Sequence, residues 1–372
     1  MTVVVTGIGL VSSLGDNAEQ AWRRLLDGHS AISLRHPFPA MSPRPLAMLG
    51  KQPADLGSLL ITAAQAAIQD AGLPMCLPDC GVVIGSSRGQ QAQWERFLTT
   101  GIIDDWENSL PHMGAIAVAR QLGTQGPVLS PMAACATGVW AIAQGADLIR
   151  TGQCDRVLVG AGEAAITPLT LAGFEQMRAM ATTGCYPFDQ QREGLVLGEG
   201  AALLLLESED AARDRSARIY ARLLGSGLTA DANHVSAPDA TSHQGGLTAI
   251  RTALERSRLI PDEIDLIHAH GTSTRLNDAY ECELIQTIFP RSVWVTGTKG
   301  ATGHTLGASG AIGAVMCVLA LQHQTVPPCV GLKTPAFDLR LPQMAVQTPL
   351  TTALCFSFGF GGQNAVIALS KI

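Results

Sequence analysis

Continuous apolar runs alternate with alanine-rich helical stretches along the whole chain. Three of these runs are TVVVTGIGLV (2–11), GVVIGSS (81–87) and DRVLVGAGEA (155–164). A strand that is apolar on both sides must be covered on both faces, and helices between successive strands supply that cover. The pattern therefore predicts an α/β fold in which helices cover both faces of the sheet.

Two distant stretches have the same design. LSPMAACATGVWAIAQGADLI (129–149) and TGTKGATGHTLGASGAIGAVMCVLAL (296–321) each begin as a strand, pass through a turn of small residues and continue as an apolar helix. Such a repeat indicates a duplicated unit whose halves share a core. We place the halves at 1–208, which holds Cys135, and 209–372, which holds the histidines discussed below.

Composition excludes several classes of protein. Apolar residues make up 47% of the 372 residues and charged residues 15%, so a large core is expected. The net charge of −6 argues against nucleic-acid binding through a basic field. We expect no leader segment, because the first residues lack the charged region and cleavage site of a signal peptide. We expect no membrane span, because no apolar run is long enough, and we expect a cytoplasmic location. The nine cysteines are irregularly spaced, which is typical of free thiols in a reducing compartment.

One cysteine lies where a helix is predicted to begin. Cys135 is flanked by small residues just before the apolar helical pattern. Unpaired N–H groups at a helix start favour a thiolate over a thiol, so this sulfur is a candidate nucleophile. A lone cysteine is as easily a small core residue. The other polar residues at strand ends decide between the two interpretations.

Two histidines follow predicted strands in separate glycine-rich loops. His270 lies in HAHGTST, and His304 follows Lys299 in TGTKGATGH. Imidazoles on such loops can donate hydrogen bonds to an enolate oxygen while a cysteine holds an acyl group. The histidines are 34 residues apart with no companion carboxylate at metal-ligand spacing, so we predict no catalytic metal.

These motifs resemble those of a known family. AACATG, PFDQQREGLVLGEGAA, HAHGTSTRLND, TGTKGATGHTLGASGA and SFGFGGQN occur in the order found in the β-ketoacyl-[acyl-carrier-protein] synthases, condensing enzymes of the thiolase superfamily. The resemblance covers the chain and is strongest for the type I/II elongating branch. It implies a thiolase-like, five-layered αβαβα fold built from two similar halves. It also implies a homodimer, or a heterodimer with a related ketosynthase.

The resemblance also implies catalytic roles. Cys135 matches the nucleophile that takes an acyl chain from a carrier-protein thioester. His270 and His304 match the histidines that promote malonyl decarboxylation. Lys299 and Glu281 match a supporting charged pair, and a lysine near His304 would keep that imidazole neutral. No cofactor is implied, because phosphopantetheine arrives on the acyl carrier protein.

Further matches surround the substrate. Phe360 matches a gating phenylalanine, and its backbone N–H and that of Cys135 are expected to form an oxyanion hole. The remaining matches are the acidic Asp278, the phosphopantetheine-binding Thr272 and Thr274, Asp231 and His234 in the loop that moves with the gate, and the basic docking residue Arg178.

The chain also departs from the family pattern. The segment between 36 and 60 is short, proline-rich and nearly uncharged, where the family has a basic helix that docks the carrier. Arg178 keeps one basic position and Arg192 adds charge nearby. Phe356 replaces the usual Asn, and Trp140 lies one turn past Cys135. Both are expected to affect acyl preference.

Three functions fit this pattern. The leading one is decarboxylative Claisen condensation of malonyl-carrier protein with a Cys-bound acyl chain, in fatty-acid or polyketide elongation. The alternative is a non-catalytic, chain-length-determining partner of a ketosynthase, which the retained Cys135 disfavours. A thiolase is disfavoured because Cys355 precedes the C-terminal loop and is interpreted as core packing.

Overall fold

The structure is a computed structural model that describes residues 1–102, 105–239 and 241–372. The strands of the first half are β1 (Val3–Ser12), β2 (Ser33–Arg35), β3 (Arg44–Leu46), β4 (Gly81–Gly85), β5 (Val128–Leu129), β6 (Arg156–Glu163) and β7 (Gly200–Ser208). Those of the second are β8 (Ala221–Ala230), β9 (Leu266–His268), β10 (Trp294–Thr296), β11 (Thr325–Val326), β12 (Val346–Gln347), β13 (Thr352–Gly359) and β14 (Gln363–Ser370).

The helices lie between these strands. They are α1 (Ala18–Leu26), α2 (Leu56–Asp70), α3 (Gln91–Thr100), α4 (Met113–Leu122), α5 (Thr137–Arg150), α6 (Pro168–Gln176), α7 (Glu209–Asp214), α8 (Gln244–Ser257), α9 (Arg275–Ile288), α10 (Lys299–Thr302) and α11 (Ser309–His323). The alternation of apolar strand and helix in the sequence is thus present in the folded chain.

The main sheet repeats one strand order in each half. Its order is β10-β9-β13-β14-β8-β1-β7-β6-β4-β5. In the first half β1 pairs antiparallel with β7, β7 pairs antiparallel with β6, and the strands beyond β6 are parallel to it. In the second half β8 pairs antiparallel with β14, β14 pairs antiparallel with β13, and the strands beyond β13 are parallel to it. A short antiparallel pairing of β1 with β8, at Val3–Val5 against Ala221–Leu223, joins the two halves.

Helices form three layers around the two five-stranded halves. Helices α2 and α4 pack on the outer face of the first half, and α8 packs on the outer face of the second. Helices α5 and α11 contact strands of both halves and each other. Their side chains belong to one large core with strands from each half. The predicted five-layered αβαβα arrangement is confirmed.

The two central helices cross at a glycine from each. A Cβ added at Gly138 would lie 2.5 Å from the backbone nitrogen of Ala311. A Cβ added at Gly310 would lie 2.7 Å from Cγ2 of Val139 and 3.0 Å from Oγ of Ser357. Backbones can approach this closely only where no side chain intervenes. The small residues of both helices therefore bring the two halves together just after the turn that holds Cys135.

Helix α11 corrects one expectation. Residues Leu306–His323 are long and apolar enough to cross a membrane, although no such segment was expected. In the fold, 89% of this window is buried inside the protein. A helix covered on all sides by protein needs apolar residues all round, as a membrane-spanning helix does. The central position of α11 in the fold therefore explains why this segment is apolar.

Candidate active site

Cys135 lies in a tight turn between β5 and α5. The preceding Ala134 has a φ of 46°, which is left-handed backbone that a residue with a side chain rarely adopts. The Thr137 hydroxyl accepts from the N–H of Ala133 at 2.9 Å and donates to the carbonyl of Ala134 at 2.7 Å. Ser357 in β13 donates to the carbonyl of Cys135 at 2.9 Å. The turn is therefore fixed by contacts from both halves.

The GFGG turn after β13 lies directly against this cysteine. A Cβ at Gly359 would come within 2.8 Å of the carbonyl oxygen of Ala133 and 3.0 Å of the nitrogen of Cys135. The ring of the next residue, Phe360, lies 5.8 Å from the ring of Phe174, centroid to centroid. Absence of a side chain at 359 thus lets the turn place Phe360 beside the sulfur.

The Cys135 thiol is protonated at rest. Burial raises its pKa to about 11. The charges of Lys299 and Arg88 and a backbone hydrogen bond from Phe360 act in the opposite direction, while Glu163 adds to the rise. The expected resting thiolate is wrong, because the loss of water around the sulfur outweighs the field of the helix start.

His270 is held by its backbone and its ring. Glu281 accepts hydrogen bonds from the N–H groups of His270 and Gly271 at 2.5 and 2.6 Å. The Lys299 ammonium donates to the His270 carbonyl and lies 3.3 Å from Nδ1. An ammonium has only donors, so Nδ1 accepts and Nε2 carries the proton. Burial, Lys299 and the second histidine hold the pKa of His270 well below its usual value.

His304 has the same tautomer for a different reason. The backbone N–H of Leu306 donates to its Nδ1 at 3.2 Å, and Oγ of Ser309 lies 2.9 Å from that atom. Nδ1 is therefore the acceptor and Nε2 carries the proton. Burial and the charge of Lys299 hold the pKa of His304 well below its usual value. Both imidazoles are neutral donors at physiological pH.

The structure brings these three side chains together. The rings of His270 and His304 meet edge to face, with centroids 5.3 Å apart and planes at 82°. The sulfur of Cys135 and one nitrogen of each ring all lie within 4.8 Å of one another. Because more than a hundred residues of sequence separate Cys135 from both histidines, only the packing of the two halves makes this one site.

The same three groups resemble a metal-ligand set. One thiolate and two imidazoles are ligands that zinc accepts. Coordination through Nε2 of His270 and His304 would displace the protons now placed there, and ionisation of Cys135 would oppose its raised pKa. The sequence-based expectation of no resident metal stays a prediction.

The expected Lys299–Glu281 pair is not a direct contact. Within the described ranges, Glu281 bonds backbone N–H groups and the side-chain amide of Asn277 at 2.9 Å, whereas Lys299 bonds His270. Burial raises the pKa of Glu281 to about 7 and lowers that of Lys299. The two residues instead hold the same histidine, Glu281 through its backbone N–H and Lys299 through its carbonyl and Nδ1.

Asp278 also holds backbone rather than substrate. Its carboxylate accepts from the N–H of Phe188 at 2.8 Å and from that of Ser273 at 3.1 Å. Burial raises its pKa to about 6. Asp278 therefore fixes the HGTST turn against the loop before β7.

A cleft of about 320 Å³ leads to the site. Cys135, both histidines and Phe360 lie on its wall together with Thr272, Thr274, Asp231 and Arg178. The hydroxyls of Thr272 and Thr274 are 2.8 Å apart. The N–H of Asp231 donates to the carbonyl of Gly362 at 2.9 Å, which ties its loop to the GFGG turn.

Other residues singled out in the sequence lie outside this wall. His234 is exposed and its Nδ1 accepts from the N–H groups of Ser236 and Ala237. Phe356 is buried in the outer core of the second half, and Trp140 packs against the central core. Arg192 stacks on Phe337 at 4.6 Å. Cys355 is buried, in agreement with core packing.

Sequence reasoning missed Glu163, at the end of β6. This buried carboxylate accepts from Oγ of Ser86 and the N–H of Ser87, both at 2.8 Å, from the N–H of Arg88 at 3.2 Å and from the N–H of Gly307 at 2.9 Å. Burial raises its pKa. Glu163 therefore links a loop of the first half to the turn that carries His304. A glutamate ending an unbroken apolar strand was the available signal.

Comparison with known proteins agrees with this geometry. The family described as Beta-ketoacyl synthase, N-terminal domain, matches residues 54–212, and its C-terminal domain matches residues 220–333. A 3-oxoacyl-[acyl-carrier-protein] synthase 2 from Coxiella burnetii is 34% identical, over 100% of this chain and 98% of its own length. The mitochondrial 3-oxoacyl-[acyl-carrier-protein] synthase from Arabidopsis thaliana is 32% identical, over 100% of this chain and 93% of its own length.

Solved structures give the same result. One similar structure is that of a type II PKS acyl-carrier protein in complex with its ketosynthase bound to the hexaketide. One chain of that complex matches the present chain with a TM-score of 0.94 and 28% sequence identity, and the match covers 100% of this chain and 99% of that one. The ishigamide ketosynthase/chain length factor gives a TM-score of 0.91 and 30% identity, with the same coverage. The present chain, with its duplicated fold and its converging thiol and imidazoles, belongs to the β-ketoacyl synthase family.

Proposed function

We propose that this acyltransferase joins malonyl-[acyl-carrier-protein] to an acyl chain carried on Cys135, with loss of CO₂. One observation carries the proposal: a thiol and two neutral imidazole donors converge within 4.8 Å at the wall of an open cleft. A nucleophile alone would support simple acyl transfer. The paired donors add a means to stabilise negative charge on a thioester oxygen.

In the first half-reaction Cys135 takes the acyl group. Its sulfur attacks the thioester carbon, the new S–C bond replaces the carrier's S–C bond, and the thiol proton ends on the carrier thiol. Because burial raises the pKa of this thiol to about 11, the sulfur must lose its proton before or during the attack. The N–H groups of Cys135 and Phe360 are our candidates for the oxyanion hole.

In the second half-reaction the histidines act on the malonyl thioester. Its carboxylate leaves as CO₂, and the electrons of that C–C bond form an enolate whose oxygen accepts from Nε2–H of His270 and His304. The enolate carbon then attacks the acyl-cysteine carbonyl, forming a new C–C bond and releasing the Cys135 sulfur, which takes up one proton. Desolvated donors of fixed orientation are well suited to this charge.

We propose that acyl carrier protein docks at the cleft mouth. Thr272 and Thr274 would hydrogen-bond the phosphopantetheine arm, and Arg178 and Arg275 would face the acidic carrier, since all four line the cleft. The ketosynthase structure that contains a carrier protein supports this partner class. The resemblance implied a basic docking helix between 36 and 60, and this segment is nearly uncharged here, so these arginines would carry more of the contact.

We further propose a homodimer in the cytoplasm, with a related ketosynthase as the alternative partner. Strand β5 ends the main sheet, and Leu129 and Met132 beside it are 40% and 53% exposed. The ishigamide relative, a ketosynthase/chain length factor, supports pairing of related chains.

Two further observations support the proposed compartment and the proposed division into halves. All nine cysteines are free, which suits a reducing compartment. The repeated strand order supports the division at 208/209.

Acyl loading tests the proposal against the non-catalytic alternative. The protein is incubated with acyl-carrier proteins of several chain lengths and its intact mass is measured. We expect an acyl adduct on the wild type and none on Cys135→Ala. A wild type that accepts no chain would favour the chain-length-determining partner.

A further inference from the structure

One cation beside the nucleophile has no role in the mechanism above. Arg88 follows β4 in the loop Ser86–Gly89, and its N–H donates to Glu163 at 3.2 Å. The neighbouring Ser86 and Ser87 bond the same carboxylate. The backbone at Arg88 is therefore held by a buried group, although its side chain is exposed.

The guanidinium of Arg88 points to the aromatic wall of the cleft. Its central carbon lies 5.7 Å from the ring centroid of Phe174, a cation–π distance. Phe174 in turn lies beside Phe360 and lines the cleft with Cys135. The positive charge is also close enough to favour the ionised form of the Cys135 sulfur.

Within the described part of the chain, this charge has no carboxylate partner. Ten ion pairs occur among the described residues and Arg88 takes part in none. Around Cys135 the lining combines apolar side chains, among them Leu46, Phe174 and Leu195, with the polar residues of the cleft wall described above. A guanidinium that faces an aromatic side chain of the cleft wall and forms no ion pair among the described residues is suited to an anion or a carbonyl oxygen.

We infer that Arg88 selects acyl groups that carry an oxygen acceptor beyond the thioester, as a carboxylate or a ketone. The first carbons of such a chain would pack on Phe174, and the distal oxygens would accept from the guanidinium. A saturated chain of equal length would leave Arg88 without an acceptor. This inference rests on the proposed function, because the acyl group must first reach Cys135.

Matched acyl chains test this specificity. Initial rates of Cys135 acylation are measured by intact mass with carrier protein bearing hexanoyl, adipyl, or an oxohexanoyl chain whose ketone lies next to the terminal methyl. We expect the wild type to favour at least one oxygenated chain over hexanoyl by about tenfold, as a charge-assisted hydrogen bond at an exposed site allows. A preference for adipyl alone would identify the carboxylate, and one for the oxohexanoyl chain alone the ketone.

Variants assign that preference to the side chain. Arg88→Leu should abolish the preference, measured as the ratio of the rate with an oxygenated chain to the rate with hexanoyl, because loss of the charge near Cys135 affects all chains alike and cancels in that ratio. Arg88→Lys should keep part of the preference. Arg96→Leu, at an exposed position in α3, is the matched control. Equal rates for all three chains on the wild type, or an unchanged preference in Arg88→Leu, would overturn the inference alone. No adduct from any chain would overturn the proposed function as well.

Discussion

The turns that carry Cys135 and His304 are built on one backbone plan in opposite halves of the molecule. In each, a residue with a side chain has a positive φ three positions before the central helix: Ala134 at 46° and Leu306 at 41°. In each, the first helical residue is a hydroxyl, Thr137 or Ser309, that bonds back into its turn.

The two turns differ at the position after the strained residue. In the first half it is Cys135, and in the second it is Gly307. A Cβ at 307 would lie 2.7 Å from both a Glu163 oxygen and the nitrogen of Ser87. The second turn therefore has no room for a nucleophile there. It presents an N–H to Glu163 instead, and its functional side chain, His304, lies three residues earlier.

The comparison shows how a duplicated fold separates two tasks. One turn holds a reactive side chain at the helix start, and its partner uses the same position to anchor the opposite half through Glu163. In the proposed function, the nucleophile and the proton donors are thereby on different loops, so neither is consumed by the other. The variants below test each element of this scheme, from the largest expected effect to the smallest.

The largest effect should follow from separating the two central helices. Gly138→Ala places a methyl group 2.5 Å from the backbone of Ala311, so we expect a loss of about 3 kcal/mol in the free energy of unfolding. Denaturant titration gives this value. Gly173→Ala, in α6 with no atom within 4 Å of the added carbon, should be neutral or slightly stabilising. Equal stabilities would show that the crossing is not tight.

A smaller effect should follow from removing the link between the turns. Glu163→Gln replaces one of the two accepting oxygens with an NH₂ group, which then faces the N–H donors it cannot bond. The turn that carries His304 should therefore shift, and the rate of malonyl decarboxylation should fall about tenfold to a hundredfold. Acylation of Cys135, which depends on the other turn, should fall much less.

Glu199→Gln is the matched control for that substitution. Glu199 is also buried, but its carboxylate accepts from the N–H groups of Leu49 and Ala54 and not from the turn that carries His304. Both variants should lose stability, but only Glu163→Gln should change the ratio of decarboxylation to acylation. If the ratio of decarboxylation to acylation changed equally in both variants, the role of Glu163 would be structural only.

The last test needs no change at the site and concerns the ionisation of Cys135. Below its pKa of about 11, the thiolate fraction of Cys135 rises about tenfold for each pH unit. Alkylation by iodoacetamide should therefore increase steadily from about pH 7 to about pH 10, after subtraction of the rate for Cys135→Ala. A plateau near neutral pH would instead show a preformed thiolate, and the helix start would then dominate over burial.

Much of the fold was accessible from sequence. Unbroken apolar strands and small-residue helices predicted the layers and the two halves, because both patterns are dictated by burial on two faces. The echo between 129–149 and 296–321 corresponds to the paired turns and helices α5 and α11. The final strand β14 was not among the predicted runs, although it pairs along its length with β8.

The residue types of the site could be predicted from the sequence, but fewer of its contacts could. Motifs indicated Cys135, His270 and His304, whereas the acids depend on three-dimensional packing that no spacing encodes. Glu281 bonds backbone instead of Lys299, and Glu163 reaches Gly307 across the two halves. The resting thiol was also missed, since sequence gives the helix start but not the loss of water around the sulfur.

The central claim is that the thiol and the imidazoles perform separate steps at one site. The most direct test is His304→Ala, measured for both acyl adduct formation on Cys135 and CO₂ release from malonyl-carrier protein, with His112→Ala as an exposed control. We predict that the adduct is kept while CO₂ release falls about a hundredfold or more. CO₂ release at the wild-type rate would contradict the account.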